Sequence, residues 1–287
     1  EQEHFSTRVV VGPRPAVYGE VDGKIRFELM APMVLEGENG VGSLEHLGHM
    51  SLEQIIAEFR RQGEQAVAFL STTFRRGTSL KAALDDLAAR AIEAVRNGAG
   101  LIVLDDAKAH RDDNLWMDPH LAVSKIDIAL RGVKLPGGDN LRRHASIAVR
   151  SAAIRNLHDI ALACGLGAEI VSPYVLFQTA ANHGGPEAAR KVLVTLQKGL
   201  EKVISTIGTH ELRGYTRFFS SIGLKPEIAE VLDIVNYLGS DQAGTGFSEL
   251  EQDAEKRYED FHSPKAKPAK NFRFFQRVWK ALGDAAS

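Results

Sequence analysis

An α/β fold is expected, either an incomplete TIM-like barrel or an open parallel sheet with surrounding helices, and three observations carry that expectation. Short apolar runs alternate with amphipathic stretches from about residue 65 onward, the pattern of a parallel sheet wrapped by helices. The run "GLIVLDD" at 100–106 is apolar on both faces, as a strand covered on either side must be. Four strands read clearly, near 66, 101, 146 and 168, with a weaker fifth near 211; a complete barrel needs eight.

The elements follow in order. Residues 1–50 read as an irregular lead-in, rich in glycine and proline, with "KIRFELMAPMVL" as its one strand-like run. Ser51 with Gln54 three residues on is a capping-box start for a helix through Arg61. "QAVAFLST" at 65–72 is a short buried strand. In "SLKAALDDLAARAIEAVRNG" the residues Leu80, Leu84, Leu87, Ala91 and Val95 make one helical stripe, stopped by Gly98. "DPHLAVSKIDIALRG" at 118–132 is a helix with Pro119 in its first turn. A glycine-rich loop then leads into "VRSAAIRNLHDIALACGLGAEIVSPY" at 149–174, a βαβ unit closed at Gly165 and Gly167. A long helix is expected from about Glu187 to Ile207, and Ser248 with Glu251 reads as the capping box of a last helix. The α/β domain is bounded at 51–262. Residues 263–287 form a basic, aromatic linker or tail, in which Phe272 and Trp279 stand among six basic residues.

Composition narrows the function classes. The 287 residues are 44% hydrophobic and 25% charged, with a net charge of −2, values of a water-soluble globular protein with no global pull toward nucleic acid or anionic lipid. The single cysteine, Cys164, cannot form an internal disulfide. With neither a leader nor a membrane-length apolar run, the expected location is the cytoplasm. The absence of a methionine at Glu1 is read as the sign of an excised or trimmed piece.

Candidate chemistry is sparse. "DDAKAHRDD" at 105–113 follows a strand, and carboxyl ends of strands are where α/β proteins hold ligands. Asp105 and Asp106 offer hard oxygen ligands to Mg²⁺; the plainer reading is an acidic solvated loop, with Asp113 or Asp118 capping the next helix. His158, near Arg155 and Asp159, reads more simply as a packed structural histidine than as an acid–base group, and Cys164 as a buried, inert thiol. The turn Arg150-Ser151-Ala152-Ala153 holds no phosphate cradle, and no glycine motif falls between a strand and a helix in dinucleotide-binding order. The expectation is therefore an α/β scaffold with no catalytic set and no cofactor of its own. The rival is a self-sufficient small-molecule or metal-binding enzyme using Asp105, Asp106 and Arg150. A third class is a nucleic-acid-binding module working through the tail.

Five segments carry a family resemblance: "LIVLDD", "MDPHLAVSKIDIALRG", "RSAAIRNLHDIALACGLGAEIVSPYVLFQT", "LQKGLEKVISTIGTHELRGYTRFFSSIGL" and "YLGSDQAGTGFSELEQDAEKRY". In order and register the chain resembles the central domain of glutamate synthase large subunits from about Val67 to Glu251, with residues 1–50 and the tail matching poorly. It departs from the family pattern at Arg150 to Ala153, where an acidic glycine-containing turn is common, at Asp106-Ala107, and at Asp159, where a second histidine is frequent. The resemblance implies a degenerate copy of the neighbouring flavin barrel that joins a glutaminase domain to that barrel and helps form the ammonia route between them. It implies FMN and an iron–sulfur cluster on the partner domain, none in this chain. Arg150, Arg155, Arg213, Tyr215 and the tail residues Phe272 and Trp279 are the candidate domain contacts.

Overall fold

The computed structural model describes residues 5–14, 24–37 and 49–264. Its centre is a parallel sheet of β3 (Val67–Ser71), β5 (Leu101–Asp105), β7 (Ser146–Arg150) and β8 (Ile170–Ser172), in the spatial order β3-β5-β7-β8. Val67 lies opposite Leu101, Leu101 opposite Ser146, and Ala148 opposite Ile170. Leu101 to Leu104 are each 0% exposed, which is why that strand reads as a continuous apolar run.

The lead-in takes part in this core. A hairpin-like pair, β1 (Val9–Val11) and β2 (Phe27–Leu29), is antiparallel with Val9 opposite Leu29. Met33 then bridges Val171 in parallel, with Val34 N–H donating to the Val171 carbonyl (3.0 Å) and Val171 N–H to that of Pro32 (2.8 Å). The arc thus gains one more strand-like neighbour beyond β8. Among the described residues it ends at β3 on the other side, so the expected parallel sheet with surrounding helices forms and does not close into a barrel.

The helices are those the spacing called for. The capping box opens α1 (Leu52–Arg60), with Ser51 and Gln54 bonding reciprocally at 3.1 and 2.8 Å. α2 (Leu80–Arg96) and α3 (Pro119–Gly132) each bury an apolar stripe against the sheet and each other, and Asp118 caps α3 by accepting from His120 N–H. α4 (Leu157–Leu166) joins β7 to β8 and is closed by Gly167. The short strands β4 (Thr73–Arg75) and β6 (Asn114–Trp116) pair antiparallel beyond the carboxyl ends of the sheet. Among the described residues no helix is long and apolar enough to cross a membrane.

Two expectations are corrected. The weak fifth strand near 211 is reduced to one parallel bridge, Glu211 with Ser6, and Leu212–Tyr215 then forms a 3-10 turn that buries Leu212 and Tyr215 three residues apart, the spacing at which that helix repeats. The helical span α5 (Tyr174–Ile207) is two helices meeting at a kink where Gly184 (φ −147°) and Gly185 (φ 70°) leave helical geometry, so the long helix expected from about Glu187 to Ile207 is its second part, entered through Pro186. After β9 (Ser220–Ile222), α6 (Pro226–Leu232) and β10 (Val235–Tyr237), the last helix α7 (Phe247–His262) starts one residue ahead of Ser248. Glu249 caps it by reaching back to Gly246 N–H (2.8 Å), whereas Glu251 accepts Leu80 N–H (2.6 Å) at the start of α2. The spacing of a local cap thus serves a tertiary contact between α7 and α2.

Candidate functional site

The carboxyl ends of β5, β7 and β8 bring together Asp105, Asp106, Arg150, Ser151, Ser172 and Tyr174, and the lead-in adds Glu36. Strand register alone sets Asp105 beside Arg150 and Arg150 beside Ser172. Arg150 forks onto Glu36, with Nε 2.8 Å and Nη2 3.0 Å from its carboxylate oxygens, and gives Nη1 to Asp105 at 2.8 Å. Such a bidentate pair is directional and strong. Ser172 Oγ donates to Glu36 at 2.6 Å, and the guanidinium lies 3.9 Å from the Tyr174 ring centre. Burial opposes the Arg150 charge, but the bonds from Glu36 and Asp105 outweigh it and hold the guanidinium protonated.

Asp106 faces the other way. It is 5% exposed and accepts three bonds, from Ser151 Oγ (2.7 Å), Ala152 N–H (2.8 Å) and Tyr174 O–H (3.1 Å). Burial, and after it the Asp106 carboxylate, push the Tyr174 phenol up to about 12. The sequence placed Asp105 and Asp106 side by side as oxygen ligands; in the fold one neutralises Arg150 and the other anchors the turn after β7. Among the described residues no three His, Cys, Asp or Glu side chains stand where they could hold a metal ion. Glu36 and Tyr174 escaped the sequence reading. The signal for Glu36 was present, since "APMVLE" ends an apolar run on a carboxylate just as "LIVLDD" does.

The other candidates scatter. Arg155 is exposed on the turn before α4, its backbone N–H bonded to Asp159 (2.9 Å). Tyr215 is buried, 6.0 Å from the Phe219 ring and stacked over Gly165, where a Cβ would meet it at 3.2 Å. Arg213 is exposed at the opposite end of the sheet and paired with Glu211. Phe272 and Trp279 lie outside the described residues. His158 is exposed rather than packed.

His120 is the histidine with a built environment. Its Nδ1 is 3.2 Å from Asp118 and its Nε2 2.9 Å from the Asp159 carbonyl. Both ring nitrogens face acceptors, so the imidazolium satisfies the site and the neutral ring satisfies half of it. Burial alone would lower its pKa; Asp118 outweighs that and raises it above 6.5. A raised value means stability fully present below the unfolded pKa and lost as the pH climbs through the folded one. His120→Gln should therefore cost about 1 kcal/mol in urea unfolding at pH 6, and the gap to the parent should narrow by pH 9. An equal gap at both pH values would show that the ring acts by packing alone.

Cys164 lines a cavity at the amino end of the sheet, and burial pushes its thiol up to about 12. Because the thiolate is the reactive form, iodoacetamide at pH 8 should label it at least tenfold more slowly in the folded chain than in urea. Equal rates would overturn that reading.

Residues 1–225 match the model of the glutamate synthase central domain. The chain belongs to that family. The match reaches back to residue 1, correcting the expectation that the lead-in falls outside it, and stops before the segment that includes Glu251. The glutamate synthase [NADPH] large chain of Bacillus subtilis (strain 168) is 25% identical over 209 residues, covering 68% of this chain and 13% of that protein. Ferredoxin-dependent glutamate synthase 2 of Synechocystis sp. is 27% identical over 195 residues, covering 59% and 12%. The chain thus spans about an eighth of the curated relatives it matches. Among solved structures, a mandelate oxidase variant aligns over 74% of this chain and 86% of its own at 15% identity and a TM-score of 0.44. A flavocytochrome b2 variant aligns over 59% and 38% at 17% identity and 0.41.

Proposed function

We propose that this chain is the linking scaffold of a glutamate synthase or glutamate-synthase-like enzyme of the cytoplasm, set between a glutaminase domain and an FMN-binding barrel and helping to form the ammonia route between them. FMN and the iron–sulfur cluster belong to the partner barrel in this reading, and this chain turns over no substrate alone. The observation that carries it is the state of the sheet's carboxyl ends. Where an α/β enzyme keeps an open ligand crevice, this chain sets Glu36, Asp105, Arg150 and Ser172 against one another and gives Asp106 to Ser151, Ala152 and Tyr174. Side chains locked in mutual bonds position backbone; they offer neither a base nor an open ligand position. The same fact weighs against the rival enzyme built on Asp105, Asp106 and Arg150.

The test is association. The purified chain, mixed with a separately produced glutaminase domain and FMN barrel of a glutamate synthase, should sediment as a complex. Failure to bind either partner, or formation of glutamate by the chain on its own, would sink the reading.

A further inference from the structure

At the amino end of the sheet, opposite the site above, lies a half-enclosed cavity of about 700 Å³ lined by six arginines and two acids. Its volume falls in the range of small-molecule sites, about 300–1,000 Å³. Among the described residues the two acids are the only carboxylates on its wall. Both are buried, Asp127 at 1% and Glu169 at 8% exposure, and both are shared. Asp127 takes Arg142 Nε (2.7 Å), Arg217 Nη1 (2.9 Å) and Arg131 Nη2 (3.0 Å); Glu169 takes Arg142 Nη2 (2.7 Å) and Arg14 Nη2 (3.4 Å). Four guanidiniums thus divide two carboxylates, with only the exposed Asp233, 3.6 Å from Arg217, as a further acid. Of the other lining arginines, Arg213 is paired with Glu211 and Arg143 lies 3.5 Å from Asp139, while Arg26 bonds the Pro13 carbonyl.

We infer that this basin binds a small polyanion, an ion with two or more negatively charged oxygens of phosphoryl or carboxylate type. The reasoning is electrostatic and geometric. Excess positive charge in a low-dielectric concavity is unfavourable until an anion enters it. Arg14 and Arg131 each give one nitrogen to the shared carboxylates, and a guanidinium has five N–H donors, so both retain the fork that matches a planar or tetrahedral oxyanion. Both side chains are also reachable from solvent, 50% and 45% exposed. The buried Arg142, with bonds to the Ala145 and Gly167 carbonyls as well as both acids, is the floor that holds them. This site lies at the other end of the sheet from the network that carries the scaffold reading and uses none of Glu36, Asp105, Asp106, Arg150 or Ser172; of the candidate domain contacts it shares Arg213.

The test is calorimetric titration of the full 287-residue chain with sodium pyrophosphate and, separately, with tricarballylate, each at ionic strength matched by NaCl. Saturable binding of either supports the inference; pyrophosphate alone identifies a phosphoryl-bearing ligand, tricarballylate alone a polycarboxylate. Binding should weaken about tenfold or more in the Arg14→Gln/Arg131→Gln double variant. Arg213→Gln, at an exposed wall position (56%), is the second variant and should weaken it in the same direction should the double variant fold poorly. Heat that merely follows ionic strength, or unchanged affinity in the folded variants, would overturn it.

Discussion

Asp127→Ala should lose about 3–5 kcal/mol of folding stability, the loss seen when one partner of a buried ion pair is removed, measured as a shift of the urea midpoint at constant slope. Asp127 projects from α3 and binds three guanidiniums that come from three places: Arg131 one turn along the same helix, Arg142 from the turn before β7, and Arg217 after the 3-10 turn. Removing the carboxylate leaves Arg142 and Arg217, both 9% exposed, with one acid each: Glu169 at 2.7 Å from Arg142 and the exposed Asp233 at 3.6 Å from Arg217. Gly167 gives an independent measure of the same cluster. It holds φ 124°, and a Cβ there would stand 2.7 Å from Asp127 Oδ1, so Gly167→Ala pays both a backbone strain and a clash. In the double variant the carboxylate contact is gone and a 3.0 Å approach to the Asp127 Cβ remains, so the combined loss should be smaller than the sum of the two single losses. A loss below about 1 kcal/mol for Asp127→Ala would mean that the arginines find water and that the cluster is a surface network.

That cluster was not legible in the sequence, and the reason is physical. Arg142, Glu169 and Arg217 lie 15, 42 and 90 residues from Asp127, and no local spacing links them. One sign was present: Asp127 falls on the buried stripe of its helix with Val123, Ile126 and Leu130, and a carboxylate on an apolar stripe must find partners or fail to fold. The elements that were legible depend on neighbours close in sequence. The capping box at Ser51 and Gln54, the continuous apolar β5 and the glycine closing α4 are each fixed within a few residues. Glu36 and Glu251 show the opposite case. Glu36 sits in a stretch whose glycines and prolines signal loop, yet its fork with Arg150 spans more than a hundred residues. Glu251 has the spacing of a cap to Ser248 and instead caps a helix far upstream.

The second large effect is expected at the carboxyl ends of the strands. Asp106→Ala removes the acceptor of Ser151 Oγ, Ala152 N–H and Tyr174 O–H at once, and a buried donor left without a partner costs about 1–3 kcal/mol. Ser151 is 0% exposed, so its hydroxyl is closed to bulk water, and a loss of about 3 kcal/mol is expected. A global loss alone would not distinguish a local anchor from general packing. Tyr174 supplies the distinction. Its phenol is held up to about 12 first by burial and then by the Asp106 charge and bond, so with the carboxylate gone its ultraviolet titration should move down toward the ordinary tyrosine value of about 10. Asp106→Asn keeps an acceptor and loses the charge, and should recover part of the stability while keeping most of the shift in titration. If Tyr174 titrates alike in parent and variants, Asp106 does not govern the turn, and the sheet's carboxyl end is held by the Arg150 fork alone.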